Sequence, residues 1–501
     1  MRPGGPRPRY RGALALSLTL ATVPATAQMT LLSGQSLMSQ AANNYPGNHL
    51  AADGGLIYTN NVQRTAGGSG QTLLLLGLTG DLAGEGTRID YRLASNLALL
   101  KYLGGAYGTQ PTGYLDGTVF LKVVPSFFTW IVRETYTQLQ IDAFAPVTPD
   151  NIQNLNYITT GPRFTMRPTL RTSVTLDALY SYLTTSSSSS QYLNIDNHRY
   201  GGNLTIDRAF SEAASLYIKG EYEKVDFKDQ VNNNNFAHSS ASGGYKLSEG
   251  RTFLDISGGY SQVQVYDVLT TAEGPGGGRE SRQNEKFDSP IWAVDLSRLV
   301  TPSQRVALSA SQQFTDAAEA FRLGFDQAVP LFAPSRVATG EVFKLRHFGL
   351  NWRFQAARTS LDIAIGGGQQ RYVITTANNY DTKQASALLT RLLSPVLSWD
   401  IGVSYLRQQQ VGAPSSTGGT QTVASQSAKT YGAVTDLRWQ VGERLALRFI
   451  YAHSRQNGAY SEDQVGVTAS WTFVGARAPM MRQPFSELAP VSPVSTQSPY
   501  H

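Results

Sequence analysis

The sequence predicts an all-β chain folded as a transmembrane, antiparallel, up-and-down β-barrel of about 16–20 strands. Three observations predict it. Apolar and polar residues alternate along most of the chain, short and long connections alternate between the alternating segments, and the composition is that of an exported chain poor in charge.

Export comes first. Arg2, Arg7, Arg9 and Arg11 precede a mostly Ala/Leu stretch from Gly12 to Val23, and Ala25-Thr26-Ala27 offers a small-residue cleavage site. That order is the order of a signal peptide over residues 1–27, with an apolar core too short to span a bilayer as a helix. The mature chain is expected to begin near Gln28. Residues 28–53 are read as an N-terminal periplasmic segment, 54–473 as the barrel and 474–501 as a Pro-rich tail expected to be disordered. The signal removes four Arg and no acid, so the net charge falls from +6 to about +2. The basic pI of 9.2 therefore belongs partly to the signal and does not point to nucleic acid as a partner.

No Cys is present, so neither a lipid anchor on Cys nor a disulfide holds the mature chain. Charged residues make up 16%, against ~25% in an ordinary soluble domain, while Gly (47), Tyr (25) and Phe (20) are abundant. After the signal no run of ~18 apolar residues occurs, which removes transmembrane helices and leaves strands as the means of crossing a membrane.

Alternation supplies the strands. Leu445, Leu447, Phe449 and Tyr451 make one face, and Arg444, Ala446 and Arg448 the other. Leu397, Trp399, Ile401, Val403 and Tyr405 alternate with Ser398, Asp400, Gly402 and Ser404. Leu361, Ile363 and Ile365 alternate with Asp362, Ala364 and Gly366, and Leu216, Ile218, Gly220 and Tyr222 with Tyr217, Lys219, Glu221 and Glu223. Side chains point alternately to the two faces of a strand, so each segment has one apolar and one wetter surface.

A soluble sandwich shows the same alternation, and the connections separate the two folds. Short turns fall near 124–126, 167–169, 210–212, 248–250, 301–303, 356–358, 394–395 and 441–443. Between them lie long polar loops around 142–153, 184–196, 228–234, 267–285, 316–338 and 410–427, with weaker ones near 375–380 and 456–462. Short turns at one rim and long loops at the other characterise an outer-membrane barrel. The loops include the runs Ser186–Ser190, Asn232–Asn235 and Gly276–Gly278, read as solvated and flexible. Gly80, Gly84 and Gly86 are assigned to a strand–strand turn and not to a phosphate loop, because no helix follows them.

The final strand carries the most specific local signal. Val465, Val467, Ala469, Trp471 and Phe473 alternate with Gly466, Thr468, Ser470 and Thr472. Gln464 and Gly466 followed by Trp471 and Phe473 resemble the C-terminal insertion signal read by the barrel-assembly machinery, an expected partner alongside outer-membrane lipid. Such signals usually end the chain, whereas here the tail follows.

Catalytic chemistry is not expected. The six His (His49, His198, His238, His347, His453 and His501) show no metal-ligand spacing, and His49 is placed before the barrel. Asp436 is an inward acid whose neighbours on its own strand face are Arg438 and Gln440. No His, Ser and acid are seen at neighbouring inward positions of common depth. No cofactor or metal is expected.

The inward polar face is more informative. Arg88, Asp90 and Arg92 share one strand face, Asp436 and Arg438 face Arg444 and Arg448 across a short turn, and Lys219, Glu221 and Glu223 form a third group. These are candidate lumen-lining residues. Their mixed signs fit either a weakly selective passage or a ladder of self-neutralising ion pairs.

Finally, Tyr58-Thr59-Asn60-Asn61-Val62, Gly84-Glu85-Gly86-Thr87-Arg88 and Tyr91 resemble the opening of the PEP-CTERM-system-associated outer-membrane proteins. Glu134-Thr135-Tyr136, Gln138, Gln140-Ile141-Asp142, Phe144-Ala145-Pro146, Thr148 and Asp150-Asn151 are similar to that family's most recognisable segment, and Arg199-Tyr200-Gly201-Gly202 also fits. The resemblance implies a barrel in bacteria with exosortase sorting and exopolysaccharide systems. It implies no catalytic residues. The expected function is a non-enzymatic passage or envelope role, with polysaccharide or secretion components as partners. A general diffusion porin, an outer-membrane hydrolase and a structural barrel with surface-binding loops are the alternatives.

Overall fold

The chain closes on itself as a barrel of 20 antiparallel strands. The structure is a computed structural model, and it describes residues 48–187, 194–230, 233–272, 279–319, 339–375, 378–411 and 426–474. The signal segment, the tail, the glycine run, the end of the serine run (188–190) and most of the loops expected at 316–338 and 410–427 lie outside the described residues, and so does Asn232.

In chain order the strands are β1 (His49–Thr59), β2 (Gln71–Glu85), β3 (Ile89–Tyr102), β4 (Gln110–Val124), β5 (Phe128–Gln140), β6 (Ile152–Thr169) and β7 (Thr172–Ser186). They continue as β8 (Asn197–Ala209), β9 (Ala214–Phe227), β10 (Phe236–Glu249), β11 (Thr252–Ala272), β12 (Arg279–Thr301), β13 (Gln304–Thr315) and β14 (Phe343–Gln355). The ring ends with β15 (Thr359–Tyr372), β16 (Tyr380–Ser394), β17 (Leu397–Gln410), β18 (Ser427–Gln440), β19 (Leu445–Gln456) and β20 (Tyr460–Val474). Each strand pairs with its sequence neighbours, and β1 pairs with β20 to close the ring. No helix among the described residues is long and apolar enough to cross a membrane.

The short turns expected from the sequence all occur, at one rim. The barrel begins earlier than expected, at His49 and not Gly54, so His49 belongs to β1. Its register explains this: His49 to Thr59 pair without a break against Asp81 to Gln71. The 267–285 loop is mostly strand, because β11 and β12 pair onward to Ala272 and Arg279. Gly80 and Gly84 lie inside β2, and Gly86 alone of the three is in the turn. The expected 456–462 loop shrinks to three residues, with Gly458 at φ +77° supplying the left-handed turn.

Sidedness follows the pleat. On β14, Phe343, Leu345, His347 and Gly349 are buried facing inward, while Arg346, Phe348 and Leu350 are exposed facing outward. The outward face is apolar, as a surface against lipid requires. Trp399, Trp439, Trp471 and Phe473 girdle the barrel near the short turns, and Tyr431 and Tyr451 stand toward the long loops.

The β1–β20 seam is tight. A Cβ added to Gly55 would stand 2.4 Å from the Val467 carbonyl oxygen. Gly55→Val is therefore expected to force the seam apart and destabilise the barrel by about 1–3 kcal/mol. A lower urea midpoint of refolded protein, followed by Trp fluorescence, would show it; an unchanged midpoint would contradict the close approach.

Candidate functional site: the closed lumen

A 20-stranded ring is wide enough to enclose an aqueous channel unless something fills it. Here three connections at the long-loop end turn inward and make contacts across it.

The β5–β6 connection, 141–151, is the principal strut. Asn151 holds it in shape. Its Oδ1 accepts from the Asp142 amide (2.7 Å), and its Nδ2 donates to the carbonyls of Asp142 (2.9 Å) and Pro146 (3.0 Å). Gln140 Nε2 donates to the Ala145 carbonyl (2.9 Å), and Asp142 Oδ1 accepts from the Phe144 amide (2.8 Å). So braced, the loop reaches across the ring. Phe144 meets Tyr380 of β16 edge-on at 6.4 Å, and Gln456 of β19 donates to the Phe144 carbonyl (2.7 Å). These residues are the ones that carried the sequence resemblance, and their structural work is to hold a rigid bar over the lumen.

The β1–β2 connection adds Arg64. Its Nε meets Glu462 of β20 at 2.8 Å, its guanidinium donates to the Val147 carbonyl, and it lies 5.6 Å from the Tyr460 ring centre. Both side chains of the ion pair are shut off from solvent, Arg64 at 1% and Glu462 at 0% exposure. Burial alone lowers an arginine's pKa, but the Glu462 carboxylate, with Tyr460 and Tyr102 adding to it, holds Arg64 above its ordinary value. The loop stays charged and anchored.

A third latch joins Arg199 of β8 to Asp316, just past β13. The fork is bidentate at 2.8 and 2.9 Å, and Glu223 accepts from the same guanidinium at 3.4 Å. Around it lies an apolar mass that includes Leu139, Leu155, Leu183, Val225, Phe227 and Phe236, with Ala317, Ala318 and Val342 from the connection itself. The described parts of these long loops are thus not simply solvated. Even the asparagine run is pinned: Asn235 Oδ1 accepts from the Phe227 amide (2.8 Å), and Asn233 donates to the Asn194 carbonyl (2.8 Å).

Nearer the short turns the inward face is polar and carries a series of ion pairs, although two carboxylates there face carboxylates, Asp255 opposite Asp295 and Asp400 opposite Asp436. Asp90 pairs with Lys122 (2.7 Å), Asp116 with Arg133 (3.1 Å), Asp177 with Arg163 (2.7 Å), Asp362 with Arg353, and Asp436 with Arg448 (2.6 Å). Lys219 pairs with Glu221 at 2.5 Å, and these two keep 25% and 39% of their side-chain exposure, so water reaches this level.

Of the candidate lumen residues, Asp90, Arg92, Lys219, Glu221, Glu223, Asp436, Arg438 and Arg448 face inward. Arg88 and Arg444 do not line the wall, since each sits in a short turn beyond its strand's first residue. Glu223 belongs to the upper latch and not to the group with Lys219. Sequence reading missed Arg64, Glu462, Arg199 and Asp316 as partners because each pair is separated by more than a hundred residues. At the last strand, Gln464 is inward and buried and donates to Glu462 (2.7 Å), and Gly466 packs under Ile57, while Trp471 and Phe473 face outward.

One expectation about chemistry is corrected. Ser261, His238 and Glu221 do fall at neighbouring inward positions: His238 Nε2 meets Ser261 Oγ at 2.7 Å, and Ser240, opposite both Ser261 and Glu221, donates to Glu221 at 3.1 Å. The strands' staggered register hid this from the sequence. Ser261 is 1% exposed, and Glu221 spends its contacts on Lys219 and Ser240, so the cluster reads as wall hydrogen bonding. Among the described residues no three His, Cys, Asp or Glu gather as a metal site.

No family model matches the chain, and no curated protein matches it. Among solved structures, the FrpB iron transporter from Neisseria meningitidis (F5-1 variant) is similar at 9% identity and a TM-score of 0.46, over 88% of this chain and 84% of that one. The ferric yersiniabactin uptake receptor FyuA from Yersinia pestis gives 11% and 0.38 over 86% and 80%, and the copper transporter OprC 10% and 0.43 over 85% and 81%. Their cargoes are their own.

The Arg199–Asp316 latch makes a quantitative expectation. Arg199→Met leaves a carboxylate buried and unpaired, which costs about 3–5 kcal/mol, whereas Arg199→Met with Asp316→Leu recovers most of it. Limited proteolysis of the connection after Thr315 should speed up in the single variant and return toward the original rate in the double variant. Equal rates in all three would show that the latch does not hold the loop.

Proposed function

We propose that the chain is an outer-membrane barrel whose passage is held shut by its own loops, and that it serves guarded, non-enzymatic movement of cargo across the envelope. Closure is the observation that carries this. Three inward connections, two buried ion pairs and an apolar mass occupy the long-loop end of a ring otherwise wide enough to conduct. A general diffusion porin needs that space open. Short turns then face the periplasm and long loops the exterior, and the last strand, with Gln464, Gly466, Trp471 and Phe473, is the segment offered to the barrel-assembly machinery.

The resemblance to the PEP-CTERM-associated barrels supplies the cargo class: exopolysaccharide, or proteins sorted by an exosortase system. The lumen suits the first. Its charges are of both signs, many of them held in pairs, and hydroxyls and amides lie between them, which favours a hydrated polymer over an ion-selective stream.

In planar bilayers the unaltered protein should show no steady, large conductance, and Arg64→Ala combined with Arg199→Ala should open one. Steady conductance from the unaltered protein would replace this reading with a porin. Deleting the gene should reduce secreted polysaccharide, and an unchanged amount would detach the export assignment.

A further inference from the structure

On the outward face, β14–β18 end toward the long loops in a row of cations. Arg346, Arg371, Lys383, Arg407 and Lys429 occupy outward positions on successive strands. Arg371 also faces a cation, Lys344, but has Asp381 beside it; the three cations of β16–β18 face one another with no carboxylate of these strands between them. Lys383 lies directly opposite Arg407, and Arg407 directly opposite Lys429. Directly opposed residues bring their Cβ atoms to about 5 Å, and like charges there destabilise a sheet.

Among the described residues no carboxylate offsets that repulsion. The one carboxylate on the outward face of these five strands, Asp381, already binds Arg371 at 2.6 Å. Arg407 reaches only the neutral Gln409 (2.9 Å), and its Nε is shielded from solvent without an acceptor. The connections beside the row, 373–379 and 411–426, contain no Asp or Glu, so they carry no counter-charge to it.

Height completes the case. Immediately below the row stand Tyr405 and Tyr431, with ring centres 5.2 Å apart. Below them come Val403 and Ala433, then Ile401 and Thr435, then Trp399 and Trp439 in the far girdle. Tyrosines mark the edge of a hydrocarbon layer, so the cations stand at headgroup level.

We infer that Lys383, Arg407 and Lys429 form a binding site for the phosphate-bearing headgroup of a membrane lipid in the leaflet at the long-loop end. Phosphate oxygens between the three cations replace repulsion with charge-assisted hydrogen bonds, and the Arg407 fork suits two of those oxygens. The inference rests on the proposed outer-membrane location.

Location is checked first, by heat-modifiable gel mobility in the outer-membrane fraction; absence from that fraction sinks the proposed function. The site is tested on the purified, detergent-solubilised barrel by calorimetric titration with diphosphoryl lipid A, its dephosphorylated counterpart, phosphatidylglycerol and inorganic phosphate. A phosphorylated lipid is expected to bind, and the tighter of the two identifies the headgroup. Lys383→Gln/Arg407→Gln/Lys429→Gln should weaken it about a hundredfold, and Arg407→Gln alone about tenfold. Lys219→Gln, on the inward face, should leave it unchanged. The triple variant removes a repulsion and should keep its heat-modifiable mobility. Equal binding by the triple variant, equal binding of the dephosphorylated lipid, or inorganic phosphate binding as tightly as lipid would overturn the site while leaving the barrel's location standing.

Discussion

A sheet in hydrocarbon has no water to satisfy its edge, so every backbone N–H and C=O must find a partner within the sheet. The rest of this structure depends on that constraint. It is met where β1 meets β20, and the seam is locked at the long-loop end by side chains from the stretch Thr59 to Asn61. Thr59 donates to Glu462 (2.6 Å), Asn60 exchanges hydrogen bonds with Asp463, and Asn61 donates to the Ser461 carbonyl (3.0 Å). Glu462 also holds Arg64. One carboxylate therefore serves both the closing of the ring and the closing of its lumen.

Ring size sets the second problem. Twenty strands enclose more space than wall side chains fill, and the chain divides the task by height. Near the short turns, opposite charges pair across neighbouring strands, and at Lys219 and Glu221 they keep contact with water. Near the long loops, the filling is dry: apolar side chains from β5 to β11 surround segments that fold in from the connections. Buried ion pairs seldom add net stability over an apolar equivalent, but breaking one is costly, which makes them suited to fixing one loop placement against others. Arg64–Glu462 and Arg199–Asp316 stand at those places.

The outward face obeys the opposite rule. It must be apolar over the hydrocarbon layer and polar beyond it, and each strand changes character within two residues. Around most of the ring that change needs no special partner. At β16–β18 it produces three opposed cations in register, a local cost that makes sense against an anionic surface.

The sequence by itself determined the barrel. Alternation along segments such as Leu397–Tyr405 and Leu445–Tyr451, with short turns at Pro302 or Pro395 between longer loops, specifies antiparallel neighbours and two faces, because both are local properties of the chain. It also determined which charges face inward, since Lys219, Glu221 and Asp436 follow from period two. The loop residues 141–151 were legible as a motif, but not as a strut. Only the tertiary structure decided that residues 141–151 reach β16 and β19, that Arg199 finds Asp316 117 positions away, and that Lys383, Arg407 and Lys429 share one height. The physical reason is stagger. In a tilted barrel the register between strands fixes which residues stand level, and that register is set by closure of the whole ring, not by any segment within it.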